Sequence, residues 1–303
     1  MTNNSQFPAP AKHSFLATIF ISPSEPRLRA GWRLLIQTIV LIILSGVAGL
    51  IFYFIPPSLI LSSSLLIGEL AELFAFAGSI YIARRFLDKR SFISLGLKID
   101  KHAMLDLLAG IIITFVMMGT IFIAMQALGW LNFESFAWNI DPVVMVITQV
   151  ILFFFIFILV GFNEELLFRG YHFQTITSGL NLFWGLIISS IIFGSLHLGN
   201  PNATWVSAAG IFFAGLFFAY AYIRTKQLWL PIGIHIGWNF FEGVVFGFPV
   251  SGLTIYPLMH IKVFGPVAWT GSAFGPEAGL IVLPALVLGG ILINLYTRSR
   301  LDS

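Results

Sequence analysis

Residues 142–171 read PVVMVITQVILFFFIFILVGFNEELLFRGY, an almost uninterrupted apolar run whose end takes up two adjacent carboxylates and an arginine. Ionisable groups at membrane depth cost a few kcal/mol each unless they are paired or hydrated, so they are interpreted as functional by default. In a helix, Glu165 and Arg169 lie on one face and can pair, whereas Glu164 points about 100° away. The rest of the chain is therefore interpreted as a scaffold for the Glu164 carboxylate.

Composition indicates a polytopic membrane protein. Of the 303 residues, 58% are hydrophobic and 10% are charged, whereas soluble domains carry roughly 25% charged residues. The absence of cysteine excludes a disulfide framework and any thiolate chemistry. The net charge of +3 comes from basic residues spread among the loops, so no nucleic-acid partner is predicted.

Apolar segments predict an all-α helix bundle with about eight transmembrane helices, each close to the ~20 residues that a spanning helix needs. The polar residues 1–30 before them are predicted to form a cytoplasmic tail. Its apolar run Phe15 to Ile21 is too short to span and is expected to touch the membrane surface. The predicted spans are 32–55, 59–83, 105–128, 143–168, 182–198, 206–223, 228–248 and 278–296.

Basic residues predict the orientation, because cytoplasmic loops are enriched in Lys and Arg. Eight spans that start from a cytoplasmic N-terminus place both termini and 14 of the 16 basic residues inside. Arg169 belongs to the polar stretch quoted above, and Lys262 falls outside. The residues predicted to lie inside are Lys12, Arg27, Arg29, Arg33, Arg84, Arg85, Lys89, Arg90, Lys98, Lys101, Arg224, Lys226, Arg298 and Arg300.

Two further polar insertions lie in later apolar spans. His197 follows Phe193 by four residues in the fifth span, and His235 precedes Asn239 by four residues in the seventh. Glu164 lies about 15 residues before the turn at 178–181 and His197 about 17 after it, so a helical hairpin brings both to roughly 22–26 Å from the turn.

The depth of His235 predicts where this pocket opens. His235 sits only ~10 Å into the seventh span from its cytoplasmic end. If it is to meet Glu164 and His197, the hairpin turn must protrude ~10–15 Å and the helix of Glu164 must continue to about Thr177. A pocket opened from the cytoplasmic side is therefore expected.

These side chains suit hydrolysis. A carboxylate and an imidazole can hold and deprotonate a water, and a second imidazole with an amide can stabilise an oxyanion. Glu164, His197 and His235 are also possible zinc ligands, so a metal-bound water stays open. No His-Glu-x-x-His motif is present.

The polar residues form three motifs along the chain, which are Glu164-Glu165-x-x-x-Arg169, Phe193-x-x-x-His197 and His235-x-x-x-Asn239. In this order, the motifs resemble those of the CAAX-protease and bacteriocin-processing family, also called the Abi family, which includes the type II CAAX prenyl endopeptidases. The resemblance covers about residues 160–239, where Phe168 and Gly170 also match.

The resemblance implies an intramembrane endopeptidase that acts near the cytoplasmic face of a cell membrane. It implies that Glu164 and His197 activate water, that His235 and Asn239 stabilise the oxyanion, and that Glu165 and Arg169 form the supporting pair. Some family members are described as metalloproteases and others as glutamate proteases. Asn239 is a poor zinc ligand, so we expect that no cofactor is required, with zinc as the alternative.

One membrane domain is predicted over residues 31–300, with its protease core at about 142–248. Expected partners are membrane lipid and a peptide or lipidated-protein substrate, such as a prenylated CAAX protein or a bacteriocin precursor. A transporter, or an immunity or binding protein, could use the same polar residues, although no motif is repeated as transporter symmetry would require. Glu69, Glu72 and Glu242 are expected to be structural or to line a cavity.

Overall fold

The computed structural model describes residues 15–23, 25–54 and 57–298, and within them the chain is a bundle of apolar helices. The helices are α1 (Phe15–Phe20), α2 (Ala30–Tyr53), α3 (Pro57–Ile82), α4 (Lys101–Ala127), α5 (Val143–Glu165), α6 (Phe173–Gly179), α7 (Leu182–Leu196), α8 (Trp205–Thr225), α9 (Trp229–Asn239), α10 (Val267–Thr270) and α11 (Val282–Thr297). Three π-helical segments extend α3, α5 and α9, over Ala83–Asp88, Leu166–His172 and Phe240–Val245.

The predicted all-α class is confirmed, and a helix covers most of each of the eight predicted spans. Six helices among the described residues are long and apolar enough to cross a membrane, and they correspond to the first six predicted spans. The seventh is shorter, because the 11 residues of α9 continue into a π segment of 6 residues. The eighth, α11, has 16 residues. The count of eight transmembrane helices and their orientation stay predictions.

The helix that carries Glu164 extends well beyond a bilayer's thickness. With its π segment and α6 it runs continuously over Val143–Gly179, 37 residues, or about 55 Å at 1.5 Å per residue. The predicted continuation of this helix to about Thr177 is therefore confirmed. The turn into α7 follows directly, and the side chain of Asn181 caps α7 by accepting a hydrogen bond from the Trp184 amide at 3.0 Å.

Helix α9 lies at the centre of the bundle, and all of its residues from Leu230 to Asn239 are buried. Glycines allow α4 to approach it closely. A Cβ atom on Gly233 would lie 2.1 Å from the Leu107 carbonyl oxygen, and one on Gly110 would lie 2.5 Å from the Ile234 amide nitrogen. Small residues at such a crossing let two membrane helices approach backbone to backbone. This contact fixes the depth at which α9 presents His235.

A two-stranded antiparallel sheet was not predicted from the sequence. Strand β1 (Leu131–Phe136) pairs with β2 (Met259–Val263), with Leu131 opposite Val263. Lys262, the basic residue predicted to lie outside, forms an ion pair of 2.6 Å with Glu134 across the two strands. The sheet joins the connection between α4 and α5 to the connection between α9 and α10.

Candidate active site

The predicted site residues converge on one cavity of about 250 Å³. Glu164 comes from the last turn of α5, His197 follows the end of α7, and His235 and Asn239 share one face of α9. All four side chains line the cavity wall. The Glu164 side chain is 21% exposed, so the cavity leaves it accessible to water. The structure therefore brings together the residues that matched depth predicted.

Glu165 lies behind this wall and holds two partners. Its Oε1 accepts a hydrogen bond of 2.9 Å from Nη1 of Arg169 and another of 2.9 Å from Nδ1 of His235. The expected Glu165–Arg169 pair is thus present, and its extension to His235 was not predicted. Because Nδ1 of His235 is engaged, Nε2 is the ring atom that meets Glu164, at 3.7 Å from Oε2. Such a carboxylate behind a histidine fixes its ring orientation.

Aromatic rings enclose the buried Arg169–Glu165–His235 group. The Arg169 guanidinium lies 4.2 Å from the centre of the Phe193 ring and 4.8 Å from that of Phe218. The His235 ring stacks on Phe218 with 4.8 Å between centroids and an interplanar angle of 9°. A cation held over ring faces keeps part of the stabilisation that burial removes. Phe218 was missed because one phenylalanine in an apolar span carries no distinguishing signal.

His197 is oriented by the helix that precedes it. Its Nδ1 lies 2.8 Å from the carbonyl oxygen of Phe193. A carbonyl can only accept, so Nδ1 must carry the proton that it donates. Nε2 is then the nitrogen left for the cavity, with no hydrogen bond to any described residue. This tautomer has the lone pair that a general base requires.

Helices α5 and α9 both change from α-helical to π-helical winding immediately after their polar motif residues. The α-helix ends at Glu165 and at Asn239, and π-helical turns follow in each case. π-Helical turns are rare and occur frequently at functional sites. The wider turns re-aim the side chains on either side of the junction, so the local winding is part of how the site is positioned.

Glu277, which the sequence did not single out, completes the cavity wall from the connection before α11. Its carboxylate accepts hydrogen bonds from Nε1 of Trp238 at 2.9 Å and from the hydroxyl of Ser251 at 2.7 Å. Burial raises the pKa of the Glu277 carboxyl, and the Ser251 hydrogen bonds oppose that effect. Glu277 therefore fixes the position of α9 relative to the loop that closes the cavity.

Two of the three remaining glutamates considered from the sequence lie in the same cavity. Glu69 and Glu72, both on α3, line its wall, as expected. The amide of Asn163 on α5 donates hydrogen bonds to the backbone carbonyl and the side chain of Glu69, at 3.0 and 3.2 Å. Glu242 is fully buried in the π segment after α9 and does not line the cavity.

The residues that line the cavity also indicate near which end of the bundle it lies. Asn200 comes from the connection between α7 and α8, and Ser251 and Leu253 come from the segment after α9. No lining residue belongs to the predicted cytoplasmic connections at 84–101, 178–181 and 224–228. The expectation of a pocket opened from the cytoplasmic side therefore finds no support in this lining.

The arrangement was also compared with what a zinc site requires, which is three protein ligands around one ion. Among the described residues, no three His, Asp or Glu side chains are grouped so that they could hold a metal ion. Nδ1 of His235 is held by Glu165 and Nδ1 of His197 by a carbonyl. Metal-bound histidines are oriented by the same kind of contact, so these two hydrogen bonds do not exclude zinc. The metal requirement stays a prediction to be tested.

Comparison with known proteins points to the same residues. A sequence model of the family described as type II CAAX prenyl endopeptidase Rce1-like matches residues 146–241. The matched segment begins in α5 and ends two residues after Asn239, so it contains all three motifs.

A curated relative is the protein named "Putative membrane peptidase YdiL" of Bacillus subtilis (strain 168), which is 36% identical over 78 residues. The aligned segment covers 26% of this chain and 30% of that relative's length. The resemblance carried by the three motifs is confirmed over the segment in which they lie. Residues 146–241 are therefore similar to the type II CAAX prenyl endopeptidase Rce1-like family, and the similarity is confined to that part of the chain.

Proposed function

We propose that this chain is an intramembrane endopeptidase that hydrolyses a peptide bond of a membrane-associated substrate. The observation that carries the proposal is the convergence of Glu164, His197, His235 and Asn239 on one small cavity inside a membrane helix bundle. A carboxylate, two imidazoles and an amide supply every group that hydrolysis by an activated water requires.

In the first step, water bound between Glu164 and His197 attacks the carbonyl carbon of the scissile bond. Its proton passes to the Glu164 carboxylate, while His197 accepts a hydrogen bond at Nε2 and orients the attacking oxygen. The Nδ1 contact of His197 with the Phe193 carbonyl, at 2.8 Å, favours this role, because it leaves Nε2 as the acceptor.

The attack places negative charge on the former carbonyl oxygen. Asn239 is suited to stabilise this oxyanion, since its amide lines the cavity and forms no hydrogen bond with a described residue. His235 assists through Nε2 when that nitrogen carries a proton, with Glu165 stabilising the charged ring through Nδ1. The carbon–nitrogen bond then breaks, and the proton held by Glu164 passes to the leaving amine.

For the substrate, we propose a lipid-anchored or membrane-inserted peptide. The family resemblance names two classes, prenylated CAAX proteins and bacteriocin precursors. The cavity lies within the bundle and, at about 250 Å³, accommodates a few side chains rather than a folded domain. A substrate must therefore present an extended segment, which a membrane-anchored peptide can do.

The test is proteolysis by the purified protein in liposomes. A prenylated CAAX peptide and an unprenylated hydrophobic peptide, each with a fluorophore and a quencher, are offered in parallel. We expect cleavage of a membrane-anchored peptide by the wild type and none by Glu164→Gln or His197→Ala. As a matched control, Glu134→Gln changes a glutamate in the surface strand, 42% exposed, and should keep full activity.

A transporter would give the opposite pattern. If no peptide is cleaved, but proton or ion flux across the liposome membrane depends on Glu164, the hydrolase reading is wrong. Equal cleavage by wild type and Glu164→Gln would also overturn it, because the proposed base would then be dispensable.

A further inference from the structure

A second cavity, of about 440 Å³, lies where α2 begins, between that helix and helices α6 and α7. We call it the α2 cavity. Arginines line one side of it, and apolar side chains of α2, α6 and α7 line the other. Its lining residues are Ser22, Pro23, Arg27, Arg29, Ala30, Gly31, Arg33, Leu34, Ile176, Ser178, Gly179, Leu180, Ile188 and Ile192. None of them takes part in the active site described above.

Two arginines that line the α2 cavity, Arg27 and Arg33, belong to an ion-pair network with residues behind its wall, and this network has more cations than carboxylates. Asp88 is contacted by three guanidinium groups, those of Arg33, Arg84 at 3.1 Å and Arg27 at 3.4 Å. The nearest further carboxylate, Glu25, pairs with Arg27 at 2.7 Å and is shared with Arg90 at 3.2 Å. Four arginines therefore share two carboxylates, which leaves an excess of two positive charges.

Two of the arginines that line the cavity are incompletely satisfied within the described residues. Arg33 is only 3% exposed, and its Nε atom has no hydrogen-bond partner among the described residues. A buried guanidinium nitrogen without an acceptor is costly, so the charge of Arg33 is incompletely compensated beside the cavity. Arg29 is exposed, lines the cavity and forms no ion pair within the part of the chain that the structure describes.

The first turn of α2 adds to this positive potential. Helix α2 is 24 residues long and starts at Ala30. Ala30 and Gly31 both line the cavity. The first amide groups of a helix lack partners within the helix and carry the positive end of its dipole. An anion at this position would meet backbone donors as well as guanidinium groups.

The other side of the cavity is apolar and continues onto an open helix face. Ile188 and Ile192 of α7 form part of its wall. Beside them on α7, Phe183 and Ile191 are 61% and 50% exposed. In a membrane bundle such exposed apolar side chains face lipid. A ligand with an anionic head in the cavity could therefore extend a hydrocarbon chain along α7.

We propose that the α2 cavity binds the phosphate headgroup of an anionic phospholipid, with the acyl chains lying along the Ile188–Ile192 face of α7. Guanidinium groups bind phosphate through paired, charge-assisted hydrogen bonds. Basic pockets between membrane helices near the interface are suited to acidic lipid headgroups. The combination of an arginine-lined head and an apolar wall favours a lipid over a free anion.

Occupancy of this site would act on the bundle rather than on the reaction. Arg33 also donates a hydrogen bond of 2.9 Å to the Ser178 hydroxyl on α6, and α6 continues the helix that bears Glu164. A bound phosphate at Arg33 would tie the start of α2 to the end of this helix. We therefore expect lipid binding to raise the thermal stability of the folded protein.

The experiment is a lipid titration of the full-length protein in detergent, followed by native mass spectrometry and thermal unfolding. The probes are phosphatidylglycerol, phosphatidylcholine of the same chain length, and glycerol phosphate as the free headgroup. We expect phosphatidylglycerol to bind at least about tenfold more tightly than phosphatidylcholine, as one charge-assisted contact implies. It should also raise the unfolding temperature.

Two variants and one control localise the site. Arg29→Gln removes an exposed cavity cation without touching Asp88, and Ile188→Gln makes the acyl wall polar. Both should weaken phosphatidylglycerol binding by about tenfold. Lys226→Gln removes an exposed cation from the connection between α8 and α9, outside the cavity, and should bind like the wild type.

Other outcomes would overturn the proposal. Equal weakening by Arg29→Gln and Lys226→Gln would mean diffuse attraction to a basic surface. If glycerol phosphate binds as tightly as the lipid and Ile188→Gln has no effect, the site would be one for a free phosphate. Equal affinity for phosphatidylglycerol and phosphatidylcholine would exclude recognition of the acidic headgroup.

Discussion

Nδ1 of His235 lies 2.9 Å from Oε1 of Glu165, and the same carboxylate oxygen accepts a hydrogen bond of 2.9 Å from Arg169. One buried carboxylate therefore joins α9 to the helix that carries Glu164, and it meets the charge of an arginine at the same time. The adjacent glutamate keeps its carboxylate in the cavity. Two neighbouring residues of one type thus have different surroundings, and different consequences follow from replacing each.

Replacing the two glutamates separately should separate chemistry from stability. Glu165→Gln leaves Arg169 buried without its counter-ion, which costs about 3–5 kcal/mol when one partner of a buried pair is removed. Glu164→Gln should leave stability within about 1 kcal/mol of the wild type, because this side chain borders the cavity. Glu164→Gln should nevertheless abolish turnover. Thermal unfolding in detergent and peptide cleavage measure the two effects, and an equal loss of stability in both variants would refute the division of roles.

Asn239 should act on turnover more than on substrate affinity. If its amide donates a hydrogen bond only once the oxyanion forms, Asn239→Ala should lower kcat about 100- to 1,000-fold with little change in KM. Asn132→Ala, at an exposed position of β1, serves as the control and should leave both constants unchanged. A rise in KM with unchanged kcat would instead assign Asn239 to substrate binding.

Chelation tests whether the water is activated by protein groups alone. Because the described His and Glu side chains do not form a three-ligand group, we expect peptidase activity to persist after exhaustive dialysis against a chelator. Elemental analysis of the active protein should then find no stoichiometric zinc. If activity is lost to the chelator and restored by zinc alone, the metal-bound water that the residue types also allow is the correct mechanism.

The close contact of α4 with α9 should be intolerant of a single methyl group. A Cβ on Gly110 would lie 2.5 Å from the Ile234 amide nitrogen, next to His235. Gly110→Ala should therefore push α9 away, destabilise the protein by about 1–3 kcal/mol and lower activity. Gly290→Ala is the matched control, since a Cβ there has no heavy atom within 4 Å. If the two variants behave alike, close packing of α4 against α9 is not what positions His235.

Orientation can be tested directly because the chain contains no cysteine. Ser91→Cys lies in the basic connection predicted to be cytoplasmic, and Asn132→Cys lies in β1, predicted to be outside. In intact cells, a membrane-impermeant maleimide should label the second and spare the first until the membrane is opened. The reverse pattern would place the basic loops outside and invert the predicted topology.

Helix positions were predictable because long apolar runs have one stable solution in lipid, which is a helix. The active-site residues were predictable for a related reason, since Glu164, His197 and His235 interrupt such runs. By contrast, β1 and β2 pair across more than 120 residues, Leu131 with Val263. No local pattern in either segment indicates that partner, and the sheet was therefore missed.

The surroundings of the site were less predictable than its centre. Phe218 and Trp238 look like ordinary apolar residues of a span, and Glu277 belongs to a Gly- and Pro-rich connection. Their roles arise only when helices pack, as when Trp238 donates a hydrogen bond to Glu277 at 2.9 Å. Glu277 and Ser251 also lie outside residues 146–241, so part of the cavity wall comes from beyond the family segment.

The π-helical turns after Glu165 and Asn239 make the site sensitive to chain length as well as to residue identity. A π turn holds one residue more than an α turn, so deleting Tyr171 or His172 would let the helix rewind as an ordinary α-helix. Every side chain with a proposed chemical role would survive the deletion, and so would the Glu164-Glu165-x-x-x-Arg169 spacing, yet α6 and the turn into α7 would rotate by about 100° relative to Glu164. A relative that lacked this extra residue would keep all three motifs and lose their geometry, so comparing motif letters alone would misjudge which chains are active.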